Sequence, residues 1–230
     1  MRGIVLTAAL LLALPAAAQQ HQHPQPAQPA QQGHAHDPDH AAAHATGIPE
    51  GWQVRLDRPN STAPIHFMAM EGHLHAVLGP AGIFYQPAMT ANGAFTAQGT
   101  FTLNKPSAHP EAFGLMVGGQ NLDADNQDYL YFIVRQDGKF MVKHRAGTET
   151  HTLFDWTEHA AVQRPNAQGS ATNALAIEAG PAGARFLVNG TEVANLPRVP
   201  MLNTDGVVGL RLNHNLDVLV RDFGVHPAGH

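Results

Sequence analysis

From about residue 50 onward the chain consists of short apolar or alternating segments separated by Gly, Pro, Asn and Asp. This pattern is typical of an all-β sandwich or barrel. The clearest pair of segments is Tyr129–Arg135 and Lys139–Arg145, which are joined by Gln136-Asp137-Gly138. An Asp-Gly turn in this position predicts a tight hairpin in which both turn residues have positive φ. Asn189-Gly190 predicts a second hairpin on the same grounds.

Similar segments elsewhere predict further strands, and one segment fits a short helix. The strands are expected at His73–Gly79, Gly82–Gln86, Gly93–Leu103, Ala112–Gly119, Ala174–Ala179, Gly206–Asn213 and Asp217–Val225. A weak helical pattern spans Asp155–Ala161, where a helix would cover a loop. The strand at 129–135 is apolar at both odd and even positions. It is therefore expected in the middle of a sheet, with an outer face that is covered by loops or lines a groove.

The first residues have the pattern of a secretory signal peptide. One basic residue, Arg2, precedes an apolar segment from Ile4 to Leu14, and Ala16 and Ala18 form a small-residue cleavage site. We expect residues 1–18 to be removed after Ala18 and the product to be periplasmic or secreted. The apolar segment is too short to span a bilayer, so no membrane insertion is expected after cleavage.

The residues after the predicted signal peptide fall into three parts of different composition, which we interpret as a linker, a domain and a tail. Residues 19–49 consist of Gln, His, Pro, Ala, Gly, Asp and Thr, with Ile48 as the one large apolar residue. Such a segment buries little apolar surface, and we expect a disordered linker. Residues 50–226 are expected to form the sandwich and residues 227–230 a C-terminal tail. The chain has no cysteine, so the domain must be stabilised by an ordinary hydrophobic core.

The charge of the chain argues against one class of partner. Its 13 Lys and Arg residues are outnumbered by 18 Asp and Glu residues, giving a formal net charge of −5. No block of basic residues with interleaved aromatic residues occurs, so nucleic acid is not expected as a partner. The sequence identifies no protein partner and no certain cofactor.

Several segments of the domain resemble a known superfamily. They are 71–75 (EGHLH), 82–85 (GIFY), 93–101, 186–190 (FLVNG), 205–212 (DGVVGLRL) and 218–225 (VLVRDFGV). With the Asp-Gly hairpin, they resemble the concanavalin A-like lectin/glucanase jelly rolls, and more narrowly LamG-like and 3-keto-disaccharide hydrolase-like secreted domains of bacteria. The resemblance covers nearly all of residues 50–226 and implies a two-sheet antiparallel jelly-roll sandwich. Its motifs are turns and core strands, so they specify the fold and not the chemistry.

The resemblance implies two functions. The first is a binding module for carbohydrate or cell-surface glycan, and the alternative is a glycoside-processing hydrolase of the 3-keto-disaccharide hydrolase-like type. Glucanases with this fold carry a Glu-x-Asp-x-x-Glu motif on one strand, and no glutamate of this chain begins that motif. Nucleophile motifs based on Ser or Cys are also absent from the sequence. These observations favour the binding module.

Aromatic side chains are the candidate contacts for a sugar, because exposed rings stack on the apolar faces of pyranoses while polar neighbours fix their orientation. Trp52 fits the core better than a binding site, whereas Trp156 lies in a segment that resembles a loop. The candidate ligand-binding residues are Tyr85, Tyr129, Tyr131, Arg135, Trp156, Asn213 and His214.

Two groups within the domain are candidate metal ligands. His73 and His75, with Glu71, would share one face of a strand, an arrangement that can hold a transition metal. The alternative is a turn at 71–72, with His73 exposed and His75 at the margin of a sheet. Asp123, Asp125 and Asp128 precede a strong strand and could hold Ca²⁺. The alternative for these aspartates is a solvated turn.

The predicted linker supplies a third hypothesis, in which the protein acts through its histidines as a periplasmic metal-binding protein. His34, His36, His40 and His44 are the candidate ligands, and His40 and His44 would share a face of a short helix. Flexible His-rich segments bind Zn²⁺, Cu²⁺ or Ni²⁺ weakly. The alternative is a spacer without a metal.

Overall fold

The computed structural model describes residues 47–228, and all regular elements in that range are β-strands. Their bounds are β1 Gln53–Leu56, β2 Ile65–Met70, β3 His73–Leu78, β4 Gly82–Ala91, β5 Phe95–Lys105, β6 Ala112–Gln120, β7 Asp128–Arg135, β8 Lys139–Ala146, β9 Glu149–Glu158, β10 Ala171–Gly180, β11 Gly183–Val188, β12 Thr191–Pro197, β13 Gly206–Leu212 and β14 Leu216–Pro227. Within the described range, no helix is long and apolar enough to cross a membrane. The predicted signal peptide and most of the predicted linker lie outside the described residues.

The strands form two antiparallel sheets of seven strands each. In the first sheet the order is β1-β4-β13-β6-β7-β8-β9, and in the second it is β12-β11-β10-β5-β14-β3-β2. Strands β13 and β14, from the C-terminal end of the chain, lie inside the two sheets. The prediction of an all-β, two-sheet antiparallel sandwich is confirmed.

Pairs of phenylalanines join the two sheets across the core. Phe132 of β7 lies 5.3 Å from Phe186 of β11, measured between ring centroids. Two equivalent pairs link the sheets elsewhere, Phe101–Phe113 at 5.6 Å and Phe67–Phe84 at 4.8 Å. All six rings are fully buried. The aromatic pairs explain how a domain without disulfides holds its two layers together.

The first sheet also carries a smaller apolar cluster on its outer face, opposite the core. Tyr129, Tyr131 and Ile133 of β7 belong to this cluster, whereas the alternating Leu130 and Phe132 belong to the main core. Strand β7 lies between β6 and β8. The prediction of a central strand that is buried on both faces is therefore confirmed, and the covered outer face becomes the first place to look for a binding site.

The two predicted hairpins are present, with different turn geometries. Asn189 and Gly190 both have positive φ, at 51° and 78°, as expected for a two-residue turn. In the other hairpin Gly138 has a φ of 83°, whereas Asp137 is not among the residues with positive φ. The prediction for Asp137 was wrong because Gln136 also belongs to the loop. A three-residue loop of this kind uses a type I turn followed by a single left-handed residue.

The predicted helix at 155–161 is absent, because most of that segment lies in β9. Strand β9 pairs with β8 along much of its length, from Ala146↔Glu149 to Lys139↔Glu158. The ladder has two register shifts, and these interrupt the period-two pattern by which a strand is recognised in a sequence. Strands β1 and β2, at the edges of the two sheets, were also not predicted.

Candidate functional site

The structure places the sequence-predicted sugar contacts on one sheet. Tyr85 lies on β4, Tyr129, Tyr131 and Arg135 lie on β7, and Trp156 lies on β9. Asn213 and His214 follow directly after β13. These strands all belong to the first sheet, and the side chains of β4, β7 and β9 in question share its outer face. The candidates are therefore brought together on one side of the domain or at its margin.

The tyrosines do not form exposed platforms, contrary to the expectation from sequence. Tyr85, Tyr129 and Tyr131 are only 4–7% exposed and pack with Met116 and Leu122. Leu122 belongs to the β6–β7 loop, which lies against this face. None of the three hydroxyl groups has a hydrogen-bond partner within residues 47–228. The rings are thus fixed by packing, while their polar groups are available to water or a ligand.

Arg211 on β13 is the most deeply buried cation of this face, and the sequence analysis did not identify it. Its two terminal nitrogens each lie 2.6 Å from a carboxylate oxygen of Asp57, which follows β1. The guanidinium also lies over the ring of Tyr131, 5.5 Å from the centroid. Arg211 is 8% exposed, and its Nε is buried without a hydrogen-bond partner among the described residues. A buried donor of this kind is normally bonded to a water or to a ligand.

Burial and charge act in opposite directions on the ionisable groups around Arg211. Burial raises the pKa of Tyr131 to about 12, although the positive charge of Arg211 lowers it. Burial would also raise the pKa of Asp57, but the hydrogen bonds and charge of Arg211 outweigh it and hold that pKa below its usual range. The folded state therefore favours ionised Asp57. The associated stabilisation is present above the ordinary pKa of Asp57 and is lost as pH falls through the lowered value.

Two further cations lie beside the tyrosines. In the β7–β8 ladder Arg145 is directly opposite Tyr129, and Lys143 is directly opposite Tyr131, so their side chains share the outer face. Arg145 donates to the carbonyl oxygen of Gly147 and to the hydroxyl of Thr150, both uncharged acceptors. Lys143 has no ionic partner among the described residues. We call Tyr85, Tyr129, Tyr131, Lys143, Arg145 and Arg211 the tyrosine–arginine face.

The remaining candidates, Asn213 and His214, follow β13 and share Glu111 as a partner. Arg211 donates a long hydrogen bond of 3.4 Å to Oδ1 of Asn213, whose amide nitrogen is 3.4 Å from Glu111. His214 lies 2.9 Å from the same buried glutamate. These contacts connect Asn213 and His214 to the tyrosine–arginine face through Arg211.

Trp156 does not lie in a loop, as its sequence context suggested, but in strand β9. Its ring packs against the outer-face cluster, and the guanidinium of Arg135 lies over it at 4.2 Å from the centroid. Arg135 is in turn paired with Asp137 at 2.6 Å. The arginine therefore occupies a face of the indole that would otherwise be open to a sugar.

The candidate metal ligands of the domain do not form a cluster of histidines and carboxylates. Within the described residues, no group of three or more His, Asp or Glu side chains is placed to hold a metal ion. Asp128 instead lies 3.0 Å from Nε2 of His144, while Asp123 and Asp125 are exposed in the loop before β7. His75 pairs with Asp217 at 2.8 Å. The candidates His34, His36, His40 and His44 lie outside the described residues.

Carboxylates are scarce on the outer face of the first sheet. The alternation of side chains on β4, β13, β6, β7 and β8 places tyrosines, cations, glycines and apolar residues there, and Glu158 of the edge strand β9 is the one acidic residue that these strands contribute. Two carboxylates from outside the strands lie at the same face or its margin: Asp57 is paired with Arg211, and Glu111 contacts Asn213 and His214. Hydrolysis by the common glycosidase mechanisms needs two carboxyl groups roughly 5 to 9 Å apart. The described strands do not present such a pair on this face.

Two surface clefts lie away from these residues. They have volumes of about 140 and 540 Å³ and border the turn between β10 and β11. The larger one contains Arg185, whose guanidinium is already paired with Glu178 and Glu192. Neither cleft collects unpaired polar groups comparable with those around Arg211.

The fold resembles solved structures of low sequence identity. One is the carbohydrate-binding module CBM66 from Bacillus subtilis, with a TM-score of 0.56 and 11% identity over 76% of this chain and 95% of that one. A Bacillus subtilis protein of unknown function with a galectin-like fold has a TM-score of 0.53 and 12% identity over 76% and 89% of the two chains. The metal-free carbohydrate recognition domain of Emp46p has a TM-score of 0.51 and 11% identity over 78% and 89%.

These similarities establish the fold. The chain has a two-sheet sandwich of the concanavalin A-like kind, so the fold that the resemblance implied is confirmed. No protein-family model matches the chain, and no curated protein matches it in sequence. The narrower resemblance to LamG-like and 3-keto-disaccharide hydrolase-like domains stays a prediction.

Proposed function

We propose that this protein is a glycan-binding module whose ligand lies on the tyrosine–arginine face. One observation carries the proposal. Three packed tyrosines have unbonded hydroxyls, two of them, Tyr129 and Tyr131, lie near Arg211, and the buried Nε of Arg211 has no partner among the described residues. Buried polar groups are normally hydrogen-bonded, so the Nε of Arg211 is expected to bond to water or a polar ligand, and the accessible tyrosine hydroxyls can add further hydrogen bonds to such a ligand. Two of the structurally similar proteins, CBM66 and the Emp46p domain, are themselves described as carbohydrate-binding.

The chemistry of these groups suits a saccharide. A tyrosine hydroxyl can donate and accept at once, as a sugar hydroxyl does, and a guanidinium donates to neighbouring oxygens in a fixed fork. The rings are held by the outer-face cluster, so little side-chain entropy is lost when the ligand binds. A rigid, hydroxyl-bearing surface of this kind favours recognition of polyhydroxylated molecules.

The charge around the tyrosines favours an acidic saccharide. Lys143, Arg145 and Arg211 lie on this face, where Asp57 is paired with Arg211; nearer Tyr85, Arg55 is opposed by Asp123 and Asp125. A local excess of positive charge attracts anionic ligands and fixes their orientation. Both terminal nitrogens of Arg211 are already paired with Asp57, so Lys143 and Arg145, which have no carboxylate partner among the described residues, are the cations that would contact an acidic group. We therefore propose glycans that carry uronate or sulfate groups as the ligand class.

A comparison of acidic glycans with their neutral counterparts tests this proposal. We expect the full-length chain to bind oligogalacturonate or a sulfated glycan, and to bind the methyl-esterified or desulfated counterpart at least about tenfold more weakly, equivalent to about 1.4 kcal/mol. Replacing Lys143 and Arg145 together by glutamine should reduce affinity for the acidic form by roughly tenfold. Tyr131→Phe, which removes one hydroxyl, should cost about 1 kcal/mol. Isothermal titration calorimetry measures each of these changes.

Arg185→Gln is the matched control, because Arg185 lies on the second sheet and is paired with two glutamates. Its affinity for the glycan should equal that of the parent chain. Binding confined to neutral glycans would contradict the acidic ligand class. If neither acidic nor neutral glycans bind, or if Arg185→Gln weakens binding as much as the Lys143 and Arg145 changes, the proposed site is wrong.

We further propose that the protein is exported to the periplasm or secreted after removal of residues 1–18. Support comes from the order of Arg2, the apolar segment and the small residues at Ala16 and Ala18. N-terminal sequencing of the protein from the envelope and medium fractions of a bacterial host should give Gln19 as the first residue. Recovery of an intact chain that begins at Met1 in the cytoplasm would contradict export.

A further inference from the structure

We propose that the hairpin formed by β2 and β3 is a binding site for a soft monovalent metal ion, Cu(I), with Met68, Met70, His73 and His75 as its ligands. The hairpin is on the second sheet, away from the tyrosine–arginine face, and the proposal is independent of the proposed glycan function. The two strands are joined by a turn at Glu71 and Gly72. The local sequence is HFMAMEGHLH, from 66 to 75, in which histidine or methionine alternates with other residues on each strand.

The strand register brings the four donors together. Met68 is directly opposite His75, and Met70 is directly opposite His73. Side chains alternate along a strand, so these four residues share one face of the hairpin, while Phe67 and Ala76 face the core. Opposed residues in such a ladder have Cβ atoms about 5 Å apart, and successive pairs on one face lie about 7 Å apart. Thioether and imidazole side chains can span a rectangle of this size to reach one central ion.

The exposure of the two methionines is not explained by packing. Met68 and Met70 are 41% and 51% exposed on an edge strand, whereas Phe67, which precedes Met68, and Ala76 on β3 are fully buried. Large apolar side chains are normally placed on the buried face of such a strand. Two thioethers in solvent, each opposite a histidine, are better accounted for as ligands than as core residues.

Hydrogen bonds fix the tautomers of both histidines so that one nitrogen of each ring is free for a metal. Nδ1 of His73 lies 3.2 Å from the carbonyl oxygen of Glu71, which can only accept. That nitrogen therefore carries the proton, and Nε2 has the free lone pair. Nε2 of His75 lies 2.8 Å from the carboxylate of Asp217, so here Nδ1 has the free lone pair. A carboxylate behind a metal-binding histidine is a recurrent means of orienting the ring.

The donor set selects the metal. Histidine and carboxylate side chains alone form no group of three among the described residues, so the site depends on its thioethers. Thioethers are soft ligands that select Cu(I), and imidazole also suits copper. Arg221 of β14 lies opposite His73 in the sheet. Its positive charge opposes a divalent ion more strongly than a monovalent one, because Coulomb repulsion scales with the charge.

The experiment uses the full chain with the linker histidines replaced by glutamine, so that the separate prediction for the His-rich linker does not contribute. The histidines replaced are His21, His23, His34, His36, His40 and His44. Anaerobic titration with Cu(I) against a chromophoric chelator should show one bound ion per chain. Met68→Leu with Met70→Leu should weaken binding by more than about 100-fold, and Asp217→Asn by roughly tenfold, the range expected for a residue that orients a ligand.

A spectroscopic measurement separates ligation from a general effect on folding. With ¹³C-labelled methionine methyl groups, Cu(I) should shift the resonances of Met68 and Met70, while Met201, which is exposed elsewhere, should stay in place. Leucine preserves volume and apolarity, so the double variant should unfold at the same temperature as the parent when no metal is present. Met201→Leu and His151→Gln are the matched controls and should bind Cu(I) normally.

Three results would overturn the proposal. These are loss of Cu(I) binding when only the linker histidines are replaced, unchanged affinity in the Met68 and Met70 double variant, and a methyl shift at Met201 that equals those at Met68 and Met70. Each would assign the ion to a different part of the chain or show that it binds without a defined site.

Discussion

Replacing Phe132 by alanine is expected to lower the free energy of unfolding by about 4 kcal/mol. Phe132 is fully buried on β7 and contacts Phe140 of its own sheet and Phe186 of the other, with centroid distances of 6.3 and 5.3 Å. The truncated side chain would leave a cavity between the sheets that neither partner can fill. Chemical denaturation followed by tryptophan fluorescence measures the loss, and an unchanged denaturant slope would show that both end states are preserved.

The neighbouring residue provides the control for this measurement. Tyr131 is on the same strand but faces the opposite side of the sheet, and Tyr131→Phe removes only a hydroxyl that has no partner in the described residues. We expect its unfolding free energy to stay within about 0.5 kcal/mol of the parent. If Phe132→Ala cost less than about 1 kcal/mol, the assignment of Phe132 to the inter-sheet core would be wrong.

Outside the core, we expect the largest loss of stability at the Asp57–Arg211 pair. Substituting Asp57 should lower the free energy of unfolding much more than substituting Arg211. Asp57→Ala should destabilise the fold by about 3 kcal/mol, because it leaves a buried guanidinium without its counter-charge. Arg211→Met should cost no more than about 1 kcal/mol. The side chain of Asp57 is 43% exposed, so water can solvate its carboxylate when the arginine is absent. Thermal and chemical unfolding of the two variants measure the difference.

The double variant is the internal check of this asymmetry. Once Arg211 is methionine, Asp57→Ala should have little further effect, since no buried charge is left to compensate. Equal losses for the two single variants would show that Arg211 is better solvated than its burial implies. In that case the Nε of Arg211 would be solvated by water and would not mark a ligand site.

Local sequence patterns were sufficient to predict most of the strands and the geometry of one of the two hairpin turns. Asn189-Gly190 has the predicted geometry because two residues alone close that hairpin, and the sequence of such a turn dictates its backbone. Strand β7 was predicted from its run of apolar residues, and its burial on both faces followed from the same run. By contrast, β1, β2 and β9 lie at sheet edges, where each strand pairs with a single neighbour.

The candidate site was only partly predictable, for a physical reason. The tyrosines were identified by residue type, but whether a ring is exposed depends on a loop and on cations from other strands. Arg211 is an isolated charge within the apolar segment GVVGLRL, and this is the signal that could have identified it. Its partner Asp57 comes from a distant loop, and no local pattern links the two. The thioethers of Met68 and Met70 were overlooked because their strand was not predicted.

The order of strands in the sheets has a consequence for the kinetics of folding. Tyr85 pairs with Gly209 and Phe101 pairs with Val220, so the interior of each sheet is closed by segments more than a hundred residues further along the chain. Contacts between residues so far apart in the chain form slowly, because a long loop must be closed before they contribute. A nascent chain that lacks β13 and β14 has gaps inside both sheets and cannot complete its core. Such a chain stays open until both strands have left the ribosome, so the sandwich forms after translation of this domain and not strand by strand during it.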